Sequence, residues 1–366
     1  MNIHSLRFEN FRNYPRMEVD LESPIVVLSG PNGAGKTNFL EAISFLSPGR
    51  GLRFLSASGI NVRNNEGWSV WANLSFAGEP YTLSTGIPSG KTHRVFFLDG
   101  EPLNSSEKAS LFFTCLWTTP HMERLFSSGA SARRKFLDSL ILAEQRTYSR
   151  ELLSLERMLT SRNKILAETP SELAWLEGVE DSIARHTVSI SAIRKNFLER
   201  IKIYLNIFTN MPLLNLGVNC WVAEQLENYS ALEVEDMLRE KLSLSRQRDQ
   251  ELKKTSWGAH KTDFIVFYGN KAQSADMCSS GEQKMILLTL ILAQAENLKR
   301  RTGMIPTLLL DEPLVHLDTR NKNIFLKNIQ DLNLPTFLTG TDHIDFSELK
   351  ESADFLSINS GEISFK

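Results

Sequence analysis

Residues 30–37 read Gly30, Pro31, Asn32, Gly33, Ala34, Gly35, Lys36 and Thr37. Three glycines, a lysine and a hydroxyl at this spacing suit a P-loop, whose backbone N–H groups ring a phosphate because glycine tolerates positive φ and close approach. Lys36 would bridge the β- and γ-phosphates of a nucleoside triphosphate, and the Thr37 hydroxyl would ligate Mg²⁺. Far along the chain, the apolar run 307–310 ends in Asp311 and Glu312. Asp311 is placed to hold the water shell of Mg²⁺, and Glu312 to orient or deprotonate an attacking water. Buried strands often end in a solvated Asp, so the acidic pair takes its meaning from the phosphate loop.

A third group, Cys278, Ser279, Ser280, Gly281, Glu282 and Gln283, forms a small-residue turn feeding a helix predicted over 283–300. Such a helix N-terminus presents N–H donors and a hydroxyl to an anion. The same residues also suit an ordinary cap, with Ser279 or Ser280 as N-cap and Glu282 in the first turn. The phosphate loop itself lies between an apolar strand at 25–28 and a helix at 37–45, the order its chemistry requires.

The elements that must position these groups fall into three stretches. Residues 1–121 hold short apolar or alternating runs, such as 25–28, 68–76 and 95–98, punctuated by Gly, Pro and Asn, and read as mostly sheet. From 122 to 251 the apolar residues recur at spacings of three, four and seven, as in Leu152, Leu155 and Leu159, or Ile183, Ile190, Phe197 and Tyr204. A coiled coil is one reading of that spacing. Pro170, Gly178 and an apolar loop at 211–217 interrupt it and favour a compact helical insertion. Strand-like runs return at 264–268, 307–310 and 336–339. The expected architecture is an α/β head split in sequence, 1–121 and 252–366, with a mainly helical arm domain at 122–251.

Composition sets outer bounds. The chain has 366 residues, 42% hydrophobic and 23% charged, with a formal net charge of -2, which describes a globular protein and excludes a histone-like basic one. Its longest apolar runs fall far short of the ~18 residues of a membrane span, and residues 1–10 do not resemble an export signal. Cys115, Cys220 and Cys278 form no Cys-x-x-Cys pair, which argues against a disulfide framework or zinc ribbon and for the cytoplasm.

In this order, with a helical insertion between the phosphate loop and the small-residue turn, the motifs resemble the ABC-type ATPase heads of chromosome maintenance and DNA repair. The turn resembles their signature sequence, and Val315, His316, Leu317 and Asp318 resemble the D-loop. Within that class the likeness is to the RecF family. It is carried by Leu6 to Tyr14, by Lys36, Thr37, Asn38, Phe39, Leu40 and Glu41, by Arg133, Arg134, Lys135, Phe136, Leu137 and Asp138, and by Gly258, Ala259, His260, Lys261, Thr262 and Asp263. The resemblance implies a two-lobed head with a short arm. It implies ATP and Mg²⁺ as cofactors, and two copies sandwiching two ATP molecules with Ser279 and Gly281 of one completing the γ-phosphate site of the other. It further implies ATP-gated binding to duplex DNA and to single/double-strand junctions, slow DNA-stimulated hydrolysis, RecO and RecR as partners, and RecA loading at gaps.

The chain departs from the class pattern in places. Thr341 and Asp342 stand where a switch histidine is expected, with His343 one residue later, and residues 115–120 carry no Q-loop glutamine. DNA affinity would come from clustered cations, and Arg50 with Arg53, Arg133 to Lys135, and Lys299 to Arg301 are candidates. Each is equally a solvated helix face or a charge at a helix C-terminus. Arg133 and Arg134 alternatively serve Asp138 or the nucleotide. The competing functions are an ABC transporter subunit, for which the long insertion is unexpected, and a nucleotide-binding scaffold, against which the acidic pair speaks.

Overall fold

The computed structural model describes residues 1–53, 59–60, 66–269, 273–359 and 361–365. The chain divides into two compact units. One comprises residues 1–123, 207–212 and 279–366, the other 124–206 and 213–278. The sequence places the return from the arm at 252; here the segment 252–278 belongs to the second unit, and the return falls at Ser279.

The first unit contains two sheets. In the antiparallel one, β1 (Asn2–Phe11), β2 (Tyr14–Asp20), β4 (Trp68–Phe76), β5 (Glu79–Ile87), β6 (Val95–Leu98) and β7 (Glu101–Pro102) pair in the order β2-β1-β4-β5-β6-β7. The other is mostly parallel. It holds β3 (Ile25–Ser29), β8 (Cys115–Thr118), β12 (Thr307–Leu310), β13 (Thr336–Gly340), β14 (Ala353–Asn359) and β15 (Glu362–Phe365) in the order β15-β14-β3-β13-β12-β8. β3 and β12 are buried at every residue, which is why they read as unbroken apolar runs rather than alternating ones. Their in-register partner is β13, with Thr339 opposite Leu28 and Leu338 opposite Leu310. The residues following β3 and β12, and the end of β13, therefore meet at one edge of the sheet, outside the carboxyl ends of its strands, where α/β folds place their ligands.

Helices α1 (Lys36–Ser44), α2 (Ser106–Ala109), α9 (Ser280–Asn297) and α10 (Thr319–Leu332) complete this unit. Between β1, β4, α1 and β13 the core is aromatic: Phe8, Phe11, Tyr14, Phe39, Phe45, Trp68 and Phe337 meet edge-on or tilted, with centroids 5.1 to 6.3 Å apart. α9 is buried at every position from Gln283 to Asn297. It is thus enclosed on every side, its polar residues Lys284, Gln294 and Asn297 included, and its sequence lacks the one-sided stripe of a surface helix.

The second unit contains α3 (Ala130–Glu144), α4 (Tyr148–Glu168), α5 (Leu173–Leu205), α6 (Trp221–Gln225), α7 (Ala231–Leu244) and α8 (Arg246–Leu252). α5 runs for 33 residues and buries Ile183, Ile190, Phe197 and Ile201. It packs along α4 and α7. A small antiparallel sheet accompanies the helices: β9 (Leu214–Asn219), β10 (Asp263–Tyr268) and β11 (Gln273–Ser274), in the order β11-β10-β9. The expected loop at 211–217 is thus partly a strand, and the strand expected at 264–268 pairs with it.

Charges hold this unit together from inside. The guanidinium of Arg162, fully buried, donates to Glu180 (2.9 Å), Asp249 (2.7 Å), Thr255 (3.1 Å) and the Leu242 carbonyl (2.7 Å). Arg194 similarly grips Asp138 through both oxygens (2.9 Å each) and the Ala259 carbonyl (2.7 Å). His260 donates from Nε2 to the Thr255 carbonyl (2.9 Å), while its Nδ1 is buried without a hydrogen-bond partner. Burial, aided by the charges of Lys261 and Arg134, pushes the imidazole down to about 4. A folded-state value below the unfolded one means that the neutral ring stabilises the fold above pH ~6.5, and that this stability drains away as pH falls toward 4. Urea unfolding should therefore show a lower midpoint at pH 5 than at pH 7. The drop should be visibly smaller in His260→Gln; an equal drop in both proteins would remove His260 as its source.

Candidate nucleotide site

β3 ends in Ser29, and the chain turns at Gly30 with φ +151°. A Cβ at Gly30 would lie 2.2 Å from the Ile358 carbonyl oxygen of β14, so no other residue fits. Gly35, φ +117°, caps α1, and a Cβ there would meet the Asn13 side chain at 2.4 Å. Neighbouring groups brace the loop from outside: the Asn13 amide donates to the Ala34 carbonyl (3.2 Å), the Tyr14 hydroxyl to that of Gly35 (3.1 Å) and the Gly361 N–H to that of Ala34 (3.2 Å). The Ala34 and Gly35 carbonyls are thereby tied outward, an arrangement compatible with an anion cradle.

Lys36, 5% exposed, donates its ammonium to the carbonyls of Gly30 (2.7 Å) and Pro31 (3.0 Å). Burial pushes this ammonium below its ordinary value, and the charges of Glu312 and Asp311 oppose that shift, which places both carboxylates near it. Thr37 donates its hydroxyl to Asp311 Oδ2 (2.9 Å). Asn38 donates to Asn13 Oδ1 (2.7 Å) and accepts from Arg53 (3.0 Å). Lys36, Thr37, Asp311 and Glu312, separated by more than 270 positions in sequence, are thus brought together.

Sequence reasoning missed Thr339. Its hydroxyl donates to Asp311 Oδ1 (2.8 Å) and accepts from the Glu312 N–H (2.8 Å), so one side chain fixes both carboxylate residues. Its signal was a hydroxyl at the inner end of a strand adjoining the one that ends in acids. The expected switch position, Thr341 and Asp342, is exposed, and His343 turns to Asp342 Oδ1 (3.2 Å). Glu312 itself has φ +51°, unusual for a residue with a side chain.

At the small-residue turn both readings describe the geometry in part. Ser279 is the N-cap of α9 in a capping box: its Oγ accepts from the Glu282 N–H (3.3 Å), and Glu282 Oε2 accepts from the Ser279 N–H (2.8 Å). Ser279 stays exposed, and Gly281 lies so close to the His316 carbonyl that a Cβ would stand 2.9 Å away. The basic candidates are largely engaged internally. Arg53 joins Arg12 on the buried Glu41, Arg133 pairs with Asp263 (2.8 Å), Arg134 donates to the Thr262 carbonyl (3.0 Å), Lys299 to that of Leu332 (2.8 Å), and Arg300 pairs with Glu296. Asp138, proposed as the partner of Arg133 or Arg134, is taken by Arg194 and Tyr148, because it faces α4 and α5. Arg50 and Lys135 are exposed.

The RecF/RecN/SMC N terminal domain family matches residues 2–339. The DNA replication and repair protein RecF of Rhizobium rhizogenes is 36% identical over 99% of this chain and 98% of its own. The chain belongs to the RecF family. The RecF of Mesorhizobium japonicum is 33% identical over 99% of this chain and 97% of its own. A solved structure, the recombination mediator protein RecF-ATPrS in the RecFOR pathway, superposes with a TM-score of 0.86 at 25% identity, covering 99% of this chain and 97% of that one. A more distant likeness, to an Smc head bound to the C-winged helix domain of ScpA, has a TM-score of 0.57 at 13% identity and concerns the fold alone. The fold is that of an ABC-type ATPase head of the RecF and SMC kind. No helix among the described residues is long and apolar enough to cross a membrane.

Thr339→Val keeps the shape of the side chain while stranding the Glu312 N–H and removing the shorter of the two hydroxyl contacts to Asp311 Oδ1. Thermal unfolding should show a loss of about 1–3 kcal/mol, the cost of a buried group left without its hydrogen bond, and Thr339→Ser should restore most of it.

Proposed function

We propose that this chain binds ATP with Mg²⁺ in the loop 30–38, hydrolyses it slowly, and uses the bound state to hold DNA as an ATP-gated dimer. The observation that carries this reading is the Asp311 carboxylate, received by the Thr37 hydroxyl at 2.9 Å and the Thr339 hydroxyl at 2.8 Å, with Glu312 fixed beside it. One hydroxyl and one carboxylate oxygen, with phosphate oxygens to complete the shell, fit Mg²⁺, which is seldom caged by protein alone. Thr37 and Asp311 would hold the ion, and when bound it neutralises charge on the phosphates. Lys36 binds the β- and γ-phosphates, and the N–H groups of Asn32 to Asn38 orient them. Glu312 holds the attacking water and takes its proton.

Exposure of Ser279 at the start of α9 supports a contact with the γ-phosphate bound by a second copy, with Gly281 beside it. A hydroxyl and N–H groups at a helix N-terminus suit an anion. In the cap the Ser279 hydroxyl donates to Glu282 Oε2 (2.8 Å), so a trans contact would turn that donor from Glu282 to the phosphate while Oγ keeps the Glu282 N–H. Family membership supports association with DNA, RecO and RecR, with RecA loading at gaps as outcome, and action in the cytoplasm. Arg50 and Lys135 are the exposed members of the basic clusters for duplex or junction contacts.

Sedimentation of the purified chain without nucleotide, with ADP and with ATP, each with and without a gapped duplex, tests the gating. A dimer that forms with ATP alone and carries DNA is the expected result; a monomer under every condition would end the trans role of Ser279 and Gly281. Lys36→Met should abolish nucleotide binding. Glu312→Gln should bind ATP, persist as a dimer, and hydrolyse at least about a hundredfold more slowly, the scale of a general base.

A further inference from the structure

One buried cation takes no direct part in the site as described. Lys284, in the first turns of α9, is 1% exposed, and an ammonium so enclosed requires partners. It has two: Glu123 Oε1 at 2.8 Å and the backbone carbonyl of Glu312 at 2.9 Å. Glu123 alone would balance the charge. The second acceptor belongs to a residue held in the left-handed region, a conformation that is strained for a side-chain-bearing residue and persists only where its surroundings impose it. The N–H of Glu312 is bound by Thr339 and its carbonyl by Lys284, so the peptide groups on both sides of its Cα are pinned. The direction of the Cα–Cβ bond, and with it the carboxylate that faces Lys36, is then fixed.

We propose that Lys284, anchored by Glu123, is a positioning residue that sets the backbone of Glu312 for hydrolysis, an inference that rests on the water-activating role given to Glu312 above. The same bracket reaches the following turn. Glu123 Oε2 lies 3.5 Å from His316 Nε2, His316 has φ +67°, and its carbonyl abuts Gly281. The first turn of α9, which begins with the exposed Ser279, therefore bears on both ends of segment 312–316. A group that engages Ser279 acts on the helix that sets Glu312.

Lys284→Met retains length and apolar bulk while removing the donor. Steady-state hydrolysis should fall about tenfold or more in kcat, while affinity for a fluorescent ATP analogue stays within about threefold of the wild type. In a Glu312→Gln background the same change should have almost no further effect, because residues acting through one group are not additive. A kcat left unchanged, or an equal fractional loss in both backgrounds, would overturn the positioning role while leaving the ATPase reading intact. A wild-type chain that binds no ATP would sink that reading and the positioning role together. Should Lys284→Met fail to melt cooperatively, Glu123→Gln, at a partly exposed position, carries the same cycle. There a loss of about threefold confined to the Glu312 background supports the role, and no loss overturns it.

Discussion

The first unit is organised around one carboxylate. Asp311 is 2% exposed, follows a fully buried strand, and accepts from hydroxyls contributed by α1 and β13. A buried carboxylate is tolerable only where hydrogen bonds replace its water. Those bonds exist only when β3, β13 and β12 lie side by side in register, so the sheet order and the site impose one another. A slip of one residue in β13 would turn Thr339 to the opposite face, leaving the Glu312 N–H without a partner and Asp311 with the Thr37 hydroxyl alone. The aromatic packing of β1 and β4 on α1 serves the same end, because α1 carries Lys36 and Thr37 at its first turn.

The second unit relies on buried guanidinium groups where the first relies on aromatic rings. Arg162 and Arg194 each tie together residues from distant segments, and each would leave uncompensated carboxylates if lost. Pairs of this kind add little net stability compared with apolar residues of similar volume, yet their removal on one side is costly. They constrain which helices meet. α5 with its 33 residues offers many apolar registers to α4 and α7, and charged contacts select among them.

Much of this was legible in the sequence, and the pattern of what was not is instructive. The phosphate loop, the acidic strand end, the strands 68–76 and 95–98 and the helical middle depend on local spacing, and each stands in the structure close to its expected bounds. The N-cap at Ser279 was legible for the same reason. Thr339, Lys284 and Glu123 were not, because their importance lies in contacts across tens to hundreds of positions and their residue types carry no periodic mark. Charge clusters misled in another way: a run such as Arg133, Arg134 and Lys135 shows cations, but the partners that engage two of them, Asp263 and Thr262, lie about 130 residues away. The boundary at 252 was misplaced because β10 looks like any half-buried strand, and its sequence does not say which sheet receives it.

The loop 30–37 is braced by residues more than 300 positions apart in sequence. Asn13 and Tyr14 brace it from one side and Gly361 from the other, and β3 lies between β13 and β14, whose residues come some 300 positions later. Synthesis by the ribosome proceeds from the N-terminus, and domains fold as their parts emerge. Residues 124–278 contain the second unit and are delivered without interruption save for 207–212, so its helices meet while the nascent chain is still growing. The strands of residues 1–118 must wait through that interval with β3 lacking both of its neighbours. The loop thus gains its flanking strands and its Gly361 brace only once residues 336–361 have been made, long after its own residues have left the ribosome.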